Sequence, residues 1–108
     1  MKSNATLPHQ NWGIDQINIS NALNLKGEES YRRKKYEEAI SYFTESINNY
    51  SENGKAYGNL GLVYQKVGRI AEAIWANRKA IALASGKNAS TIRAGANYNI
   101  GKIYEGAG

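Results

Sequence analysis

The sequence predicts an all-α fold in which helical hairpins stack into a solenoid, and three observations carry that expectation. Gly27 and Ala39, twelve residues apart, return as Gly61 and Ala73 at an offset of 34. The segments around them agree in kind: Tyr36-Glu37-Glu38-Ala39-Ile40 answers Ile70-Ala71-Glu72-Ala73-Ile74. Asn59-Leu60-Gly61 with Tyr64 comes back as Asn99-Ile100-Gly101 with Tyr104, at the longer offset of 40. Within a unit the apolar residues fall three and four apart, as in Leu23, Gly27, Tyr31 and then Ala39, Ile40, Phe43, Ile47, which is the period of an amphipathic helix.

Taken in order, residues 1–19 form a polar leader rich in Asn and Gln, with Pro8 and the scattered apolar residues Trp12, Ile14, Ile17 and Ile19. Three alternatives stay open for it: a flexible leader, a segment in which Trp12 and Ile14 fold over the first unit, or a first helix that begins early, at Ile14. Helices are expected near 20–33, 36–50, 54–67, 70–85 and 89–105. The breaks are the polar run from Arg32 to Lys35, Ser51-Glu52-Asn53-Gly54, Gly68, and Ser85-Gly86-Lys87-Asn88, where glycine or asparagine closes a helix in the left-handed conformation. Residues 20–108 then divide into repeat 1 (20–53), repeat 2 (54–87) and a partial repeat 3 (88–108), in which one helix is either a cap or a truncated unit. The recurring pair suggests close approach, with the glycine of one helix facing the alanine of the next: Gly27 with Ala39, Gly61 with Ala73, and Gly101 as the third member of the series. One such hairpin cannot bury its own apolar stripe, so neighbours must stack.

Composition narrows the functional classes. The chain has no cysteine, which excludes disulfides, thiol nucleophiles and thiolate metal sites. His9 is the single histidine. No glycine-rich phosphate loop, paired-carboxylate site or metal-ligand cluster is visible, so neither an enzyme nor a cofactor or metal protein is expected. Glu28-Glu29 and Glu37-Glu38 are sequence neighbours that splay apart on a helix and read as solvated faces. No run approaches the roughly 18 to 20 apolar residues of a bilayer span, and the start lacks an apolar core, so a cytoplasmic address without membrane contact is expected. The formal net charge of +5 favours acidic partners through long-range steering.

The second unit carries Tyr57, Leu60, Gly61, Tyr64, Ala73 and Ala80 at spacings that resemble the tetratricopeptide repeat, with Asn77 in place of the usual aromatic and Ser85 in place of the usual proline. The first unit keeps Leu23, Gly27, Tyr36, Ala39 and Phe43 but has Lys26 at the usual leucine. The third supplies Ile100, Gly101 and Tyr104. The resemblance covers roughly residues 20–105, and the 40-residue spacing is similar to that of kinesin light chain and polarity-scaffold repeats.

The resemblance implies a non-catalytic scaffold that binds a peptide or helix from a protein partner on a concave face lined by the first helix of each unit. The implied groove positions are Asn21, Asn24, Leu25, Glu28 and Arg32, then Lys55, Gly58, Asn59, Leu62 and Lys66, then Gly95, Tyr98, Asn99, Lys102 and Gly106, of which Asn24, Glu28, Asn59, Lys66, Tyr98, Asn99 and Lys102 are the candidate contacts. A row of asparagines can hydrogen-bond a peptide backbone without reading much of its sequence. The carboxylate clamp of chaperone-binding relatives is not matched: only Asn59 corresponds, and Glu28 would repel a carboxylate. Two rivals remain. The exposed terminal repeat can support self-association into a homo-oligomer. The run Arg32-Arg33-Lys34-Lys35, with Lys66 and Arg69, can act as a nucleic-acid patch, although a solvated turn is the plainer reading and the neighbouring Tyr31 and Tyr36 sit at core positions. Tyr57, Tyr64 and Tyr104 are likewise expected in the core. Trp75, on a second helix, either packs on the following unit or offers an exposed contact.

Overall fold

The computed structural model describes residues 13–107, all of its regular structure being helical. Helices α1 (Ile14–Arg32), α2 (Tyr36–Asn49), α3 (Gly54–Lys66) and α4 (Ile70–Leu83) are followed by a 3-10 turn (Gly86–Asn88) and α5 (Ala89–Ala107). The closest associations are α1 with α2 and α3 with α4, so the chain makes two hairpins; α3 packs back on α2, and α5 on α4 and α3.

The first helix begins at Ile14, the early start that the sequence leaves open. The Gly13 amide donates to Gln16 Oε1 at 2.9 Å, and Asp15 places a negative charge in the first turn, where the helix dipole favours it. Trp12, Pro8 and His9 lie outside the described residues, and so does the proposed fold-over of Trp12.

The two hairpin turns are the same device. The Lys35 amide reaches back to the Ser30 carbonyl at 2.9 Å, and the Arg69 amide to the Tyr64 carbonyl at 2.8 Å. Each turn passes through one left-handed residue, Lys34 (φ 63°) or Gly68 (φ 83°). Glycine takes that conformation freely, whereas lysine brings its Cβ toward a carbonyl oxygen. The basic run is therefore this turn: Arg32 and Arg33 bond Glu29 at 2.6 and 3.1 Å, and Lys35 precedes α2. The α2–α3 connection ends on Asn53, whose Oδ1 accepts the Ala56 amide at 3.1 Å and caps α3.

The close approach inside each hairpin differs from the expected glycine–alanine pair. A methyl group on Gly27 would land on the Phe43 ring, and one on Gly61 on the Asn77 side-chain amide. The true partner lies four residues past the alanine, one turn further along the second helix. Ala39 and Ala73 are fully buried but serve the wider core with Phe43, Leu60, Val63, Tyr64, Ala76 and Ile103. A methyl group on Gly101 would meet nothing within 4 Å, because no described helix packs on that side of α5. For the same reason Tyr104, expected in the core, is 53 % exposed, while its counterpart Tyr64 is 9 % exposed. Trp75 is half-exposed and sets its ring edge-on to Tyr57 of its own hairpin, with centroids 5.7 Å apart.

A polar clasp in the first hairpin has no counterpart in the sequence pattern. Ser20 and Ser46, both fully buried, each donate to the other's backbone carbonyl at 2.7 Å, and Asn53 Nδ2 donates to Ser20 Oγ at 2.9 Å. It joins α1, α2 and the start of α3 with its polar groups satisfied, which is what burial of hydroxyls demands.

Candidate binding cleft

Helices α3 and α5 lie side by side, and small residues on their facing surfaces leave room between them. A cleft of about 380 Å³ opens there, lined by Gly54, Lys55, Gly58, Asn59, Leu62, Asn88, Thr91, Ile92, Gly95, Ala96 and Asn99. Its size falls at the lower end of small-ligand and side-chain pockets, roughly 300 to 1,000 Å³. A smaller hollow of about 140 Å³ lies between α1 and α3, lined by Glu28, Tyr31, Arg32, Phe43, Asn59, Leu62 and Val63. Asn59 and Leu62 are common to both and form the ridge between them.

The asparagines do not present a free row of amides. Asn59 Nδ2 donates to Asn24 Oδ1 at 2.9 Å and to Glu28 Oε2 at 3.0 Å. Asn24 is buried and points its own amide toward Glu28 at 3.5 Å, a long contact that we regard as weak. Asn99 Nδ2 donates to Asn77 Oδ1 at 3.1 Å, and Asn77 Nδ2 to the Ala73 carbonyl at 2.8 Å. The physical reason is burial: an asparagine at a helix–helix contact must satisfy its amide inside the protein. Neither Asn59 Oδ1 nor Asn99 Oδ1 has a partner among the described residues, so each retains an acceptor.

The structure thus brings Asn59 and Asn99 into the larger cleft and Glu28 into the smaller, with Asn24 behind them as a support. Lys66, Tyr98 and Lys102 line neither. Tyr98 is 66 % exposed, and Lys102 bonds Glu105 at 3.1 Å; that hydrogen bond, with the charge of the same carboxylate, raises the Lys102 pKa. Lys55, Gly58, Leu62 and Gly95 all line the larger cleft. Asn88, Thr91 and Ile92 were missed, although their three- and four-residue spacing to Gly95 and Ala96 marks one face of α5. Among the described residues no three His, Cys, Asp or Glu side chains gather into a metal-binding group, and no helix is long and apolar enough to cross a membrane.

Stacked helical hairpins define a helical-repeat fold. Residues 54–86, the second hairpin and the turn after it, match the tetratricopeptide repeat family. No curated protein matches the sequence. Repeats of the matched kind suggest a protein–protein interaction module, and their fold is generally a non-catalytic scaffold.

Proposed function

We propose that the chain is a non-catalytic module that holds a peptide segment of a partner protein in the cleft between α3 and α5. The observation that carries this reading is the cleft's make-up: glycines on both walls, apolar side chains at Leu62 and Ile92, and two asparagine carbonyl oxygens without partners among the described residues. An apolar side chain of the ligand fits between Gly58 and Gly95, while its backbone N–H groups donate to Asn59 and Asn99. Pre-formed grooves of this kind bind without large rearrangement.

The test is to select ligands from a displayed peptide library and measure them by calorimetry against the parent chain and Gly95→Leu. A methyl at Gly95 meets nothing within 4 Å, so the substitution is compatible with the fold and removes a helix-interior glycine. The expected result is an unchanged or higher melting temperature with affinity reduced at least about tenfold, as loss of some 1.4 kcal/mol of binding requires. Ligands whose affinity is indifferent to Gly95→Leu would place binding elsewhere.

A further inference from the structure

Of the asparagines in the chain, only Asn53 is followed by glycine. In such a pair the glycine nitrogen can attack the asparagine side-chain carbonyl carbon, because glycine has no Cβ to obstruct the closing five-membered ring. The Cγ–Nδ2 bond breaks, and ammonia leaves with the proton that the Gly54 nitrogen gives up. Water then opens the cyclic imide at either carbonyl, giving aspartate or isoaspartate. The balance needs no reactant other than water.

The fold holds this pair back. At ψ 88° the Gly54 nitrogen stands on the side of the Asn53 Cα–C bond away from Cβ, so ring closure needs a large backbone rotation. The side chain is pinned as well. Its Oδ1 accepts the Ala56 amide at 3.1 Å, and its Nδ2 donates to Ser20 Oγ at 2.9 Å, with longer contacts to Asn21 Oδ1 at 3.3 Å and Ser46 Oγ at 3.5 Å. Asn53 is buried and so is Gly54. The reaction has to wait until the clasp and the first turn of α3 open together. The same bonds decide what the product does. The hydroxyl protons of Ser20 and Ser46 are both engaged with backbone carbonyls, so the two hydroxyls meet Asn53 as acceptors. An aspartate there sets a charged acceptor against three acceptors in a buried place, and the favourable charge at the start of α3 does not offset that. Isoaspartate also adds a methylene to the main chain where the two hairpins join.

We propose that Asn53 is a self-modifying site guarded by the Ser20–Ser46 clasp, and that its conversion to aspartate or isoaspartate loosens the joint between the first hairpin and α3. The joint changes with the age of the molecule, at a rate set by how often the clasp opens. This site is distinct from the α3–α5 cleft and does not depend on what the cleft holds.

The full chain is incubated at mildly alkaline pH, and conversion at Asn53 is followed by peptide mapping with isoaspartate detection. A synthetic peptide of residues 48–59, which lacks the clasp, gives the unguarded rate. The chain should convert at least about tenfold more slowly than the peptide, as protection by a closed local structure requires. Ser20→Ala removes the shortest bond to Asn53 Nδ2 and should speed conversion at least about threefold. Asn77→Ala takes hydrogen bonds from the other hairpin and should leave the rate as it is. Gly54→Ala should slow conversion at least about tenfold with the fold intact, since a methyl there meets its neighbours at 3.6 Å, an ordinary contact. Asn53→Asp, which is one of the products, should melt below the parent chain. Conversion as fast in the chain as in the peptide overturns the guard, and so does equal acceleration by Ser20→Ala and Asn77→Ala, which would route the reaction through global unfolding. A melting temperature of Asn53→Asp at or above the parent's overturns the loosening.

Discussion

The two hairpins share a backbone and differ in what holds them together. In the first, the glycine of α1 lies on a fully buried aromatic ring, Phe43; in the second, the glycine of α3 lies on a fully buried amide, Asn77. Where Ser20 and Ser46 clasp one another across the first hairpin, their counterparts Gly54 and Ala80 simply touch, a methyl on Gly54 meeting the Ala80 carbonyl at 3.6 Å. The first turn forces a lysine into the left-handed region and the second uses glycine. One geometry is reached by packing plus a polar clasp in one unit, and by small residues plus a side-chain amide in the other. The repeat therefore specifies distances between helices more strictly than the chemistry that fills them.

The largest test of that contrast is to truncate both fillers. Phe43→Ala should cost about 3 to 5 kcal/mol, the range for removing a buried aromatic ring, whereas Asn77→Ala should cost about 1 kcal/mol through loss of its hydrogen bonds. Urea unfolding of the two variants measures this, and equal losses would mean that the fillers do the same job. Gly27→Ala comes next, at about 1 to 3 kcal/mol, because the added methyl meets a ring with nowhere to move. Lys34→Gly should instead stabilise, by about 1 kcal/mol, by relieving the left-handed lysine and making the first turn like the second; a lower melting temperature would count against the strain.

The smallest effect concerns pH. Burial raises the pKa of Tyr57 and Tyr64 above the ordinary tyrosine value of 10.0, so in the folded protein both hold their protons more tightly than in the unfolded chain. The resulting stability is complete below about pH 10 and is lost as the pH rises through the folded values. Thermal melts should therefore show a decline that begins above about pH 10, softened in Tyr57→Phe.

Much of the fold was legible because helices announce themselves by period and end at residues with special backbone freedom: Gly68 and the 34-residue return of Gly27 placed both hairpins. The partner of each glycine was not legible, because spacing along a helix fixes which face a residue takes but not how the next helix crosses it. Nothing in the sequence pattern sets Ser20, Ser46 and Asn53 apart as a buried set, since hydroxyls and amides look alike whether solvated or bonded to one another. Asn24 has the register of a groove residue and lies behind the groove instead. In the cleft, Asn59, Gly58, Leu62 and Gly95 followed from the groove positions that the resemblance implies, whereas Asn88, Thr91 and Ile92 required knowing how α5 leans on α3. Lys66 and Lys102 carried charge in the right rows, but charge does not say which way a long side chain turns.

Asn59 has a consequence for any peptide that occupies the proposed cleft. Both protons of its amide are already taken by Asn24 and Glu28, on the far side of the ridge. What the side chain can offer a visitor is a lone pair and no proton. A peptide in which the facing amide is exchanged for an ester linkage, or whose residue there is proline, would bring a second acceptor or a bare carbon to that spot. Two chains alike in every side chain could then be told apart by a single backbone atom.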